Sequence, residues 1–354
     1  MFNDPPGRRW KPMNKLTRMA LGGGLLAYRA LRRRSTWSFR DRAVLLTGGS
    51  RGLGLVIARQ LVDEGARLTL LARDAAELER AERELTARGG TVLAIAGDVR
   101  IREDAAGAVE QTVARYGRID VLINDAGVIQ TGPIENMAVE DFDEALAVHL
   151  YGPLYTMLAA VPLMKKQGGG RIVNISSIGG KVSVPHLVPY CTSKFALVGL
   201  SDGMRAELAK DKIKVTTVCP GLMRTGSHYN SLFKGQHERE FTWFSIIDSL
   251  PISSISAERA ASQIIEACRR GDGELVISMQ AKALARLAPL LPEVTAAAMA
   301  LFNRLLPDPA TDPAGDEIRE GWDSTSELAP SILTRLSDEA TVENNGLKGH
   351  APPA

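Results

Sequence analysis

From residue 43 onward the apolar positions follow two alternating periods. Short apolar runs are separated by longer stretches in which apolar residues return every three or four positions. The runs at Ala43–Thr47, Arg67–Ala72, Thr91–Ala96, Val121–Asn124, Arg171–Ser176, Ile213–Val218 and Glu274–Ser278 predict strands. Between them, Leu53–Glu64, Ala75–Arg88, Asp104–Tyr116, Glu140–Gln167, Val188–Lys210 and Ala257–Arg270 predict helices. Strands that alternate with helices imply a parallel, doubly wound sheet, because right-handed crossovers place helices on both faces. The rhythm predicts an α/β fold with about seven strands, in a single domain spanning residues 41–280. No repeat of solenoid period interrupts it.

The flanks lie outside this rhythm. Residues 1–40 are basic and carry one short apolar run, Met19–Tyr28. Residues 281–306 are apolar and alanine-rich, broken by Pro289 and Pro292, and are expected to be helical. Residues 307–354 hold six prolines and ten acids, which predicts a flexible tail.

Charge sharpens the division. The net +2 is the sum of a +9 head over residues 1–42, a −7 tail over residues 307–354, and a middle of 29 basic and 29 acidic residues. A neutral body excludes nucleic acid as a partner of the bulk. Three scattered cysteines, with no CxxC, exclude a disulfide framework and suit a reducing, cytoplasmic setting. The Met19–Tyr28 run is too short to span a bilayer, which takes about 20 apolar residues. With the arginines around it, residues 8–34 predict an arm that rests on an anionic inner membrane face. A disordered or dimer-docking arm is the alternative.

The first predicted strand runs into Thr47-Gly48-Gly49-Ser50-Arg51-Gly52-Leu53-Gly54. A strand, a glycine turn and a helix can bind a pyrophosphate. Glycines let the backbone approach, and the helix N-terminus offers N–H groups and partial positive charge. The second strand ends at Arg73 rather than at an acid. Arg73 and Arg51 suit a ribose 2′-phosphate, since guanidinium makes bidentate bonds to phosphate, so NADP(H) is expected over NAD(H). Tyr190 and Lys194 stand four apart on one helix face. An ammonium there stabilises a phenolate, which brings a tyrosine of ordinary pKa near 10 toward neutral pH. His186, His228, His237 and His350 have no ligand spacing among themselves or with the cysteines, so no metal site is expected.

Together these motifs resemble the short-chain dehydrogenase/reductase family over about residues 43–278. Its Thr-Gly-x-x-x-Gly-x-Gly pattern is met by Thr47, Gly48, Gly52 and Gly54, with Ser50, Arg51 and Leu53 inside the turn. The resemblance implies a Rossmann-type fold and further cofactor contacts from Asp98-Val99, from Asn124, Ala126 and Gly127, and from Pro220, Gly221 and Thr225. Asp125 stands where the family pattern has a second asparagine. The resemblance also implies that Ser177 bonds the substrate oxygen, that Tyr190 passes the proton, and that Lys194 tunes it and holds the ribose. His149 takes the place of a relay asparagine. It is expected to hold the same water or simply to pack, and in the first case to couple turnover to pH near 6–7. Family members often pair through two long helices, here Glu140–Gln167 and Val188–Lys210, which implies a homo-oligomer.

The reaction implied is reversible hydride transfer between a nicotinamide and a carbonyl or secondary alcohol. Between Pro220 and Ala257 lie Tyr229, Leu232, Phe233, Phe241, Trp243, Phe244, Ile246 and Ile247. They read equally as the wall of a site for a hydrophobic small molecule and as a lid packed on its own domain or on a partner subunit. The first favours a lipophilic carbonyl or alcohol as substrate. The other class of reading is a catalytically weak NADP-binding scaffold or redox sensor docked by its flanks.

Overall fold

The computed structural model describes residues 37–353. The N-terminal arm expected at the membrane, residues 8–34, lies outside the described residues. The chain opens with β1 (Ala43–Thr47), α1 (Gly52–Asp63), β2 (Arg67–Ala72), α2 (Ala75–Ala87), β3 (Thr91–Ala96), α3 (Arg102–Tyr116) and β4 (Val121–Asn124). After the short β5 (Gln130–Thr131) come α4 (Val139–Leu146), α5 (Gly152–Lys166), β6 (Gly170–Ile175), α6 (Val188–Leu208) and β7 (Ile213–Pro220). Two short strands, β8 (Leu222–Arg224) and β9 (Leu232–Phe233), lead to α7 (His237–Ser249), β10 (Ser254–Ser256), α8 (Ala257–Arg270) and β11 (Glu274–Ile277). The remainder holds α9 (Met279–Leu287), α10 (Pro292–Asn303), β12 (Arg319–Glu320) and α11 (Arg335–Glu343).

All seven strands predicted for the main sheet are present and parallel, in the order β11-β7-β6-β4-β1-β2-β3. The order reverses between β1 and β4. In open α/β sheets that reversal leaves a crevice at the carboxyl ends of the strands. Every residue of β1 and β4 is buried, as a strand covered by helices on both faces requires.

One predicted helix is broken. Glu140–Gln167 divides into α4 and α5, joined by a π turn over Ala147–Tyr151. Pro153 has no N–H to donate, and the chain widens before it. His149 lies in this turn.

The tail departs further from expectation. Residues expected to be flexible fold against the body. β12 pairs antiparallel with β9, which pairs with β5. The Trp322 ring stacks on Tyr229 at 4.3 Å and on His350 at 4.4 Å. Ala329, Ser337, Thr341 and Asn344 are buried. Histidines that made no metal pattern anchor this segment: His228 Nε2 meets Asp338 Oδ1 at 3.1 Å, and His237 Nδ1 meets Ser324 Oγ at 3.2 Å. Composition concealed this because few apolar residues, widely spaced, carry the packing.

Candidate active site

The cleft at the β1/β4 reversal encloses about 560 Å³. Its floor is the glycine turn. Gly48 has φ +74°, and a Cβ there would lie 2.8 Å from the backbone of Ala126. A Cβ on Gly54 would lie 2.1 Å from the carbonyl oxygen of Gly48. These two positions therefore admit no side chain, and their closeness lets β1, β4 and α1 meet. No side chain caps the N-terminus of α1, whose first-turn N–H groups have no intrahelical acceptor. This is a fitting cradle for a dinucleotide phosphate.

Not every residue assigned to the cofactor reaches the cleft. Gly48, Ser50, Arg51, Gly52, Leu53, Arg73, Asp98, Val99, Ala126, Gly127, Tyr190, Lys194 and Thr225 line it. Thr47 and Asn124 do not; they act beneath it. Thr47 Oγ1 accepts the N–H groups of Asp125 and Ala126 at 3.1 and 3.2 Å. Asn124 is buried, donating to Asn174 Oδ1 and accepting from Thr156 Oγ1, both at 2.8 Å. Pro220 and Gly221 also lie off the cleft; a Cβ on Gly221 would sit 2.8 Å from Ser278 Oγ.

Arg51 is not free. Its Nη1 is 2.6 Å from Oε1 of the buried Glu77, whose other oxygen accepts from Ser50 Oγ at 3.1 Å. Glu77 is thus a carboxylate under the glycine turn that the sequence reading missed, because it looks like any acid in a charged helix. Arg73 is exposed at the cleft edge. For Asp98, burial raises the carboxyl pKa, but hydrogen bonds from Arg100 outweigh it and hold the group below its usual range.

At the other end, Tyr190 and Lys194 sit together on α6. Lys194 Nζ lies 5.6 Å from the centre of the Tyr190 ring and donates to Ile175 O at 3.0 Å. Burial pushes the phenol well above 10, while a hydrogen bond with the Ser177 hydroxyl pulls the other way. Ser177 is held by its own turn, accepting from Gly179 N at 3.0 Å. The proton-bearing phenol, the serine and the lysine therefore converge, although Ser177 stands behind Tyr190 rather than on the cleft wall.

Burial lowers Lys194 to about 8, against the pull of the Asp125 carboxylate. Asp125 itself is raised to about 7 by desolvation, with Lys194 opposing. The two groups support each other's charge. Asp125→Asn removes the charge that favours the ammonium, so Lys194 deprotonates at lower pH. The alkaline limb of the kcat/KM profile is expected to move down, with the fold retained. An unmoved limb rejects this coupling.

His149 behaves differently from the expected titrating relay. Its Nε2 accepts the Val128 N–H at 3.1 Å, so the proton is on Nδ1, which meets Ser193 Oγ at 2.7 Å. Ser193 Oγ in turn donates to Tyr190 O at 2.7 Å. Burial, and then the Lys194 charge, depress the imidazole well below 6.5. His149 is therefore neutral through the physiological range, and both nitrogens are taken by protein. It ties the cleft wall at Val128 to the first turn of α6, edge-on to Tyr190 with ring centres 5.5 Å apart. The expected pH coupling near 6–7 through this ring is corrected on that ground.

The aromatic segment after Pro220 is corrected as well. Tyr229, Phe233, Phe241 and Phe244 are buried in one cluster with Ala329, and Trp243 and Trp322 pack against it. None of the eight apolar residues of that segment lines the cleft. Met223, Ser227, Asn230 and Ser231 do, together with Gly346 and Lys348 from the tail.

The sequence from 42 to 232 matches the short chain dehydrogenase family. The chain belongs to that family. An oxidoreductase of Thermotoga maritima is 37% identical over 184 residues, 52% of this chain and 72% of its own. A dehydrogenase/reductase SDR family protein 7-like of Anopheles gambiae is 30% identical over 250 residues, covering 69% and 77%. Among solved structures, L-sorbose reductase from Gluconobacter frateurii, complexed with NADPH and L-sorbose, superposes with a TM-score of 0.62 at 26% identity, over 68% of this chain and 97% of that one. Levodione reductase gives 0.61 at 26% identity, over 69% and 99%. As a short-chain dehydrogenase the protein is an NAD(P)(H)-using oxidoreductase that acts on CH–OH and C=O groups of small molecules. The nicotinamide supplies or accepts the hydride. The cleft brings the glycine turn at one end and the Tyr190 phenol with Lys194 at the other into one space where a dinucleotide and a small carbonyl compound could meet. Both flanks extend beyond the matched segment.

Proposed function

We propose that this short-chain dehydrogenase is an NADP(H)-dependent carbonyl reductase. The reading is carried by Tyr190. Its phenol is held protonated by burial and bonded to Ser177, beside the Lys194 ammonium. A proton-bearing acid next to a carbonyl oxygen favours reduction at neutral pH. Arg73, exposed at the adenosine end, supports a 2′-phosphate; Arg51 is a weaker support because Glu77 already balances its charge. The sequence expectation of a lipophilic substrate loses its basis, since the aromatic residues behind it are core. Val128, Ile129 and Met223 line the cleft together with Ser227, Asn230 and Ser231, which supports a substrate with both apolar and hydroxyl- or carbonyl-bearing parts.

Arg73→Glu tests the cofactor reading. Loss of a charge-assisted phosphate contact of about 1.5–3 kcal/mol weakens NADPH binding roughly 10- to 150-fold, with NADH little changed. Equal affinity of the unaltered protein for both dinucleotides rejects the preference. A panel of ketones and alcohols, assayed by NADPH absorbance, tests the activity; binding without turnover across the panel leaves the scaffold reading instead.

We also propose a cytoplasmic homo-oligomer that touches an anionic membrane face. Tyr151 and Leu158 on or beside α5, and Phe195 on α6, are large apolar residues left exposed on the two helices. The helix α10 buries no residue, and Leu290, Val294, Leu301 and Leu305 are exposed near Lys282, Arg286 and Arg304. Light scattering tests the first proposal. Cosedimentation with anionic vesicles, comparing the full chain with one lacking residues 1–38, tests the second.

A further inference from the structure

The segment from Glu343 to Lys348 leaves the end of α11 and lies against the glycine turn, where Asn345 and Ser50 meet from 295 positions apart in sequence. The Gly52 N–H donates to Asn344 O at 2.9 Å, so one first-turn donor of α1 is held by the tail. Asn345 Nδ2 donates to Ser50 O at 2.8 Å and to Glu77 O at 3.1 Å. Asn345 has φ +59°, a left-handed conformation that asparagine tolerates better than most residues. Two arginines of the body clamp the same segment. Arg59 donates to Asn344 Oδ1 at 2.7 Å and to Glu343 O at 2.8 Å, and Arg80 Nε donates to Asn345 Oδ1 at 2.7 Å. Beyond them, Gly346 O accepts from Asn230 Nδ2 at 3.0 Å. Lys348 pairs with Glu320, its Nζ 3.0 Å from Oε2.

Two further observations connect this segment with the cleft. Gly346 and Lys348 line it, alongside Ser50, Gly52, Thr225 and Asn230. Asn230 Oδ1, a buried atom of a cleft-lining residue, has no hydrogen-bond partner. The approach from Thr225 to the tail is also close: Gly226 has φ +77°, and a Cβ there would fall 2.4 Å from Thr341 Cα. Glycine turn, Thr225 segment and tail thus meet around one opening.

We propose that residues 343–348 form the outer wall of the dinucleotide site and retain the bound cofactor. Asn344 and Asn345 fix the backbone of the glycine turn from outside, and the Lys348–Glu320 ion pair closes the wall, so that removing the Lys348 charge leaves the Glu320 carboxylate unbalanced beside an anionic dinucleotide. The proposal rests on the family's dinucleotide use and goes beyond it, because it places cofactor-retaining residues after the segment that matches the family. Release of the dinucleotide then requires this wall to lift, and the bonds of Asn345 oppose lifting.

The test uses the full chain and two variants, Asn345→Ala and Lys348→Gln. NADPH affinity is read by fluorescence titration, and its release rate by stopped-flow displacement with excess NADP+. Asn345→Ala is expected to speed release at least tenfold, and Lys348→Gln to weaken affinity severalfold. Protection of residues 343–348 from hydrogen exchange is expected to rise when NADPH is added to the unaltered protein. Unchanged release and affinity in both variants overturns the proposal while leaving the cofactor reading intact. Faster binding with unchanged or slower release in Asn345→Ala means the segment obstructs the site, and overturns it too. No binding of either dinucleotide by the full chain overturns both. Should Asn345→Ala fold poorly, a more conservative Asn345→Gln, paired with the exchange measurement, decides the question.

Discussion

Tyr190→Phe is expected to remove roughly 10²- to 10⁴-fold of turnover, the range that a positioned acid contributes. NADPH binding should be nearly unchanged. The ring is retained, and with it the edge contact with His149. Only the hydroxyl is lost. Ser177 keeps its bond from Gly179 N, so its turn stays closed, and Lys194 keeps Ile175 O as an acceptor. Among the described residues no other phenol lines the cleft to replace it. The assay is kcat on any carbonyl that the unaltered enzyme reduces, with fluorescence titration of NADPH beside it. A variant that keeps most of its turnover would falsify the assignment of Tyr190 as the acid.

Phe241→Ala is expected to cost about 3–5 kcal/mol of stability, as for a fully buried aromatic. The ring has no exposure and touches Tyr229, Phe233 and His228, with centres 5.4 to 5.7 Å apart. A loss of that size lowers the melting midpoint by roughly 4–8 °C in a domain of this size. The same change loosens the tail, because Ala329 and Trp322 pack in this cluster. Limited proteolysis should then cut first within residues 307–353. An unchanged midpoint and unchanged cleavage would show that the aromatic cluster does not hold the tail.

The fold was legible because its central strands are buried on both faces. Runs such as Ala43–Thr47 have no polar alternation to confuse with a helix, and all seven predicted strands of the main sheet occur. The glycine turn and the Tyr190–Lys194 spacing were legible because each is a short contiguous stretch of sequence. What sequence did not yield came from distant pairings. Glu77 and Arg51 stand 26 positions apart. Asn345 and Ser50 stand 295 apart. An Asn-Asn-Gly run in an acidic, proline-bearing tail signals a turn and nothing about what the turn touches. The aromatic residues after Pro220 misled for a related reason: a segment over a cleft can face the ligand or the core, and apolar character alone does not choose. His149 lines the cleft, but its charge state depends on Val128 and Ser193, which only the fold brings to it.

The docking of the tail also bears on how the protein is handled. Lys348 lines the cleft, and Trp322 stacks on His350 just beyond it. A bulky label or reporter attached at or beside His350 therefore sits near the cleft, where its size and charge bear directly on dinucleotide exchange. Kinetic work on this enzyme is best done with residues 343–350 left unlabelled.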